Sequence, residues 1–172
     1  MKGVIHEKSR VSMKTILEIF YLRIIGERIR YQRRKVNLSR KGSDPDKLMW
    51  SLIRQELREL PAEEREFIIH STSWRYERPG NILLTYIAYS DELTFEKDKT
   101  KNLLLKNLGT ITRNNRKPCS RMQLEKKVVS HAIRHIAFLV KTDDQIDFKS
   151  AMTPETIKTF EKLWVSLAGR VL

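Results

Sequence analysis

Residues 66–89 read EFIIHSTSWRYERPGNILLTYIAY, and this stretch decides the fold class. Phe67, Ile68, Ile69, Thr72, Trp74 and Tyr76 are the β-branched and aromatic types a pleated surface accepts, so 66–76 is predicted as a strand. Pro79-Gly80 marks a turn. Residues 81–89 follow as a second strand, apolar on both faces and therefore the more central one. Two strands around a short turn predict an antiparallel hairpin. A lone hairpin is marginal in water, so it needs a further strand or a covering of helices. Alternation puts His70, Thr72, Trp74 and Tyr76 on one face, with Ile69, Ser71, Ser73 and Arg75 on the other.

Working outward, three segments carry helical periodicity. In 46–60, Met49, Trp50, Ile53, Leu57 and Leu60 form an apolar stripe; Asp44 or Asp46 can cap it, and Pro61 ends it. In 122–141, Val128, Val129, Ala132, Ile133, Ile136, Leu139 and Val140 share one broad face, with Ser130 and Arg134 opposite. In 153–168, Thr153 suits an N-cap and Pro154 the first helical position. Residues 102–111 read as a third strand or a short helix, and 110–118 as a positively charged loop. The expected fold is α+β: an antiparallel hairpin-based sheet packed against these three helices, mostly on one side.

The N-terminal region reads differently. Met13, Ile16, Leu17, Phe20 and Ile24 recur at helical spacing, so 13–32 is predicted as a helix with a basic end. Residues 1–43 hold twelve Lys/Arg against three Asp/Glu, a net +9 of the chain's +13. Linker chemistry follows at 41–46. The expected organisation is therefore a basic extension over 1–43, read as a functional arm, a tail or a non-native start, and one domain over 44–172. Within that domain, 95–127 carries ten basic residues against three acidic ones. Such a balance favours anionic partners without specifying a fold. The most apolar window, 16–25, is too short to span a membrane and includes Glu18 and Arg23. The single cysteine, Cys119, excludes an internal disulfide and suits a cytoplasmic setting.

His131 and His135 lie one helical turn apart. The zincin pattern requires Glu after the first histidine, and Ala132 stands there instead, so no metal set is assigned. With His70, Ser73, Trp74 and Arg75 they make the candidate site, since hydroxyl and guanidinium groups suit anions and aromatics can stack on bases. The same residues also suit a sheet with one wet face and a helix-boundary histidine pair. Anion-binding candidates are Arg28, Arg30, Arg33, Arg34, Lys35, Arg113, Arg116 and Lys117.

The runs HSTSWRYERPGNILLTYIAY (70–89) and VSHAIRHIAFLVKT (129–142) resemble an uncharacterised small-protein family of oxygenic photosynthetic bacteria, over residues 48–167. The resemblance implies no activity and no catalytic residues. It marks His70, Trp74, Arg75, His131 and His135 as distinctive. The leading expectation is a non-enzymatic binding or accessory protein for an anionic partner such as RNA, without a cofactor. The alternative is a small enzyme or metal-binding protein built on His70, His131 and His135. Membrane-surface attachment through helix 13–32 is a third expectation.

Overall fold

The computed structural model describes residues 14–38, 44–56, 67–76, 80–108 and 120–163, excluding the side chains of 54–56 and 72–76. Two of its strands come from the region expected to be helical. Strand β1 spans Lys14–Ile25 and β2 spans Arg28–Leu38. Gly26 and Glu27 join them in a two-residue turn, with Gly26 at a φ of +58° that a side chain resists. The helix predicted over 13–32 is therefore corrected to a hairpin. The physical reason is that β1 is covered on both faces, so Ile16, Leu17, Ile19, Phe20, Tyr21, Leu22 and Ile24 are nearly continuous. A run of that kind matches any period. With no helix at 13–32, surface attachment to a membrane by such a helix loses its basis.

The remaining elements are α1 (Pro45–Glu56), β3 (Ile68–Tyr76), β4 (Asn81–Tyr89), β5 (Lys101–Leu104), α2 (Arg121–Thr142) and α3 (Pro154–Lys162). The sheet order is β3-β4-β1-β2-β5. The predicted 66–89 hairpin is present as β3–β4, and β4 is internal. The sheet is mixed rather than antiparallel, because β1 runs parallel to β4, with Glu18 opposite Thr85. Since β1 and β2 are central, Asp44 does not separate a sheet from an arm.

The helices cover both faces, not mostly one. Leu17, Ile19 and Tyr21 of β1 pack with Met49 and Ile53 of α1. Phe20, Leu22 and Ile24 face Val129, Ala132, Ile133 and Ile136 of α2, and Phe160 of α3. Asp44 accepts the Asp46 amide at 3.0 Å, and the Tyr86 hydroxyl donates to Asp46 at 2.6 Å, tying the start of α1 to β4. Ser120 and Gln123 cap α2 reciprocally, and Thr153 caps α3 by accepting the Thr156 amide at 3.3 Å. Ser130 and Arg134, expected opposite the apolar face, are buried; the Ser130 hydroxyl donates to the Leu108 carbonyl at 2.9 Å. The turn at Leu105–Asn107 delivers Leu108 to that side of α2. Among the described residues, no helix is long and apolar enough to cross a membrane.

Candidate functional site

The pairing of β2 with β5 joins two basic segments that lie far apart in the sequence. Arg28 pairs with Leu104 and Arg30 with Asn102. Arg28, Arg30 and Arg34 are exposed on β2, and Lys97, Lys99, Lys101 and Lys106 are exposed on and around β5. Arg30 also stands directly across from Arg23 on β1, a like-charge pair that raises the local positive potential. One Arg23 Nη donates to the Leu93 carbonyl at 3.1 Å, while its buried Nε finds no hydrogen-bond partner among the described residues. Glu96 tempers the margin: Lys99 contacts it at 2.6 Å, and that hydrogen bond holds its carboxyl below the usual range.

Arg33 and Lys101 do different work on the α2 side of the sheet. Arg33 Nε donates to the fully buried Glu18 at 2.6 Å, and an Arg33 Nη donates to Glu125 at 2.5 Å. Thr85 donates to Glu18 at 3.0 Å, and the Lys101 ammonium completes the chain on Glu125. Burial alone would raise the Glu125 carboxyl; the hydrogen bonds from Lys101 and Arg33 outweigh it and hold the group below its usual range. Four strands and α2 are thereby joined through one polar chain. Neither Glu18 nor Glu125 was singled out as a site from the sequence. The available signal was an acid inside the apolar run 16–25.

The histidines form a second cluster. His70 of β3 stacks on His135 of α2, with ring centroids 4.3 Å apart and planes 17° apart. His135 also leans on Phe138 at 6.3 Å. Helix α2 reaches from Glu125 over β2 to His135 over β3. Ten residues rise about 15 Å, and three strand spacings cover about 14 Å, so α2 crosses the strands nearly at right angles. Burial lowers the basicity of all three imidazoles. The His135 charge adds to this at His70, and His135 followed by Arg134 adds to it at His131. In stacked rings the in-plane lone pairs do not converge on a shared ion. Among the described residues, no group of three or more His, Cys, Asp or Glu could hold a metal ion.

Of the predicted site, His70 and His135 are in contact, with His131 one turn away along α2. The side chains of Ser73, Trp74 and Arg75 lie outside the description, but their register is defined. A bulge between Ser71 and Ser73 reverses the expected alternation: His70 pairs with Ile87, Ser73 with Thr85 and Arg75 with Leu83. Ser73 and Arg75 thus occupy positions on the face of His70, where the even spacing had put Trp74 and Tyr76. Arg113, Arg116, Lys117 and Cys119 lie outside the described residues. Compared with family models, with curated proteins and with solved structures, the chain matches none of them.

Proposed function

We propose that this protein is a non-enzymatic binding protein that holds an anionic macromolecule along the margin of β2 and β5. The observation that supports this is the β2–β5 pairing, which joins the strand of exposed Arg28 and Arg30 to the segment that carries exposed Lys97, Lys99 and Lys106. Arg28 and Arg30 stand about 7 Å apart on one strand face, a spacing suited to successive charges on an extended polyanion. RNA is the natural first probe. A fluorescent oligouridylate is expected to bind at low ionic strength and weaken steeply with salt. The double variant Arg28→Ala/Arg30→Ala should reduce the log–log salt slope by about 1.4, at about 0.7 per phosphate contact. No binding at low salt would end this reading.

A second reading is favoured by the histidine stack: a small enzyme or metal-binding protein working at His70, His131 and His135. Its observation is a pair of half-buried imidazoles in contact, both made less basic by burial. Elemental analysis of the purified protein tests the metal form, and a metal-free preparation whose melting temperature ignores zinc sinks it.

A further inference from the structure

Three polar side chains from three strands stand in a row on the α1 side of the sheet. Arg23 of β1 is paired with Arg30 of β2, and Arg30 with Asn102 of β5. Paired residues share a face, and Arg23 follows Leu17, Ile19 and Tyr21 at alternate positions, so the row lies on the face that α1 covers elsewhere. With strands about 4.8 Å apart, its ends are about 10 Å apart. Gln32, next along β2 on that face, is buried to 8% exposure and keeps the neighbourhood polar. The segment joining β4 to β5 crosses the same face, where Leu93 and Phe95 pack in the α1-side cluster.

The row is charged without being balanced. Arg23 and Arg30 are like charges directly opposite each other, a pairing that is destabilising by itself. The acceptor that Arg23 meets, the Leu93 carbonyl, is neutral, and its buried Nε meets none among the described residues. Arg30 is exposed and forms no ion pair among the described residues. The acids of the crossing segment do not supply the missing charge. Glu96 is held by Lys99 and acted on by Arg34, and Glu92 is exposed without an ion pair among the described residues. The Leu93 bond meanwhile fixes the Arg23 guanidinium in place, using one of its five N–H donors.

We propose that Arg23, Arg30 and Asn102 seat one phosphate group. This rests on the anionic-partner reading, to which it adds the chemical group recognised and the place where it is held. A tetrahedral anion spreads its oxygens over two guanidinium forks and an amide, whereas a planar carboxylate is satisfied by one fork. Its charge also cancels the repulsion between the two arginines. The phosphate belongs either to a nucleic-acid backbone, as a diester, or to a strand end or small molecule, as a monoester.

The probes are inorganic phosphate and the fluorescent oligouridylate, each added to the full chain at low ionic strength. In nuclear magnetic resonance titrations, phosphate should shift the Arg23 Nε–H and Asn102 side-chain amide signals saturably, and acetate at equal ionic strength should not. Asn102→Asp sets a carboxylate beside Arg30 at unchanged size and should weaken oligouridylate about tenfold. Asn107→Asp makes the same charge change at an exposed position in the turn after β5 and should cost less than about twofold. Should Asn102→Asp fail to fold, Arg30→Gln replaces it, set against Lys106→Gln as its charge-matched control. Equal losses in a variant and its control overturn the site and leave the basic margin standing. So does a phosphate titration that leaves the Arg23 and Asn102 signals unmoved, or moves them no more than acetate. Phosphate binding without oligouridylate binding keeps the site, assigns it to a monoester and removes the macromolecular partner. Where both bind, equal affinity for oligouridylates ending in a 5′-hydroxyl and in a 5′-phosphate assigns the seat to the diester, and a preference for the 5′-phosphate assigns it to the strand end.

Discussion

Strand β1 offers two faces of one sheet for comparison. On the α1 side, Leu17, Ile19 and Tyr21 pack with Met49, Ile53 and Phe67. On the α2 side, Phe20, Leu22 and Ile24 make an equally dry core, but Glu18 is fully buried beside them and bound to Arg33 and Thr85. The difference lies in how each face fails. An apolar contact is lost in proportion to the atoms removed. A buried ion pair fails as a unit, because deleting one partner leaves the other charge dry and unmatched.

The sharpest test is therefore on the charged face. Arg33→Met is expected to destabilise the fold by about 3–5 kcal/mol in urea unfolding. The double variant Glu18→Leu/Arg33→Met should recover most of that loss, since no orphaned carboxylate remains at position 18. If Arg33→Met costs under about 1 kcal/mol, the buried network is not holding the strands together. On the other face, Leu17→Ala should cost about 3 kcal/mol, with no single partner substitution able to restore it.

Acid should separate the faces next. His70, His131 and His135 bind protons less readily folded than unfolded, so the unfolded chain takes up more protons as pH falls. Their contribution is fully present above their ordinary value of 6.5 and is lost as pH drops below it. Glu125, with its carboxyl held down, contributes above 4.5 and loses that contribution at lower pH. Melting temperature should fall in two stages, the first below pH 6.5 and the second below pH 4.5, with His135→Phe flattening the first. A single stage unaffected by that substitution would remove the histidine cluster from the account. The smallest effect belongs to Gly26→Ala, which acts on neither face. A Cβ there meets nothing within 4 Å, so only the positive φ resists it, at about 1 kcal/mol.

The elements legible in the sequence were those with one buried face or, for β4, a turn that ties it to a neighbouring strand. α1, α2, α3 and the β3–β4 hairpin each show a clean period, a cap or a turn. β1 defeated the same reading because helices on both sides erase its alternation. Gly26-Glu27, a two-residue turn with glycine first, was the signal for a hairpin there. The His131–His135 spacing was legible on α2, but their meeting with His70 was not. That contact depends on α2 crossing the strands and lying on the same side of the sheet as His70. The bulge then rearranges which neighbours share that face. The basic segments were also visible separately, and only the pairing of β2 with β5 unites them.

The parallel pairing of β1 with β4 has a consequence for synthesis. The β1–β2 hairpin is local and leaves the ribosome before β4. Its partner across Glu18 and Thr85 is made 67 residues later. Closing so long a loop is slow compared with hairpin formation. Until it closes, the nascent chain displays a ribbon whose apolar β1 is open along its edge, the kind of surface that chaperones hold and that aggregates grow from. The arginines along β2 would keep such ribbons apart while the rest of the sheet is still being made.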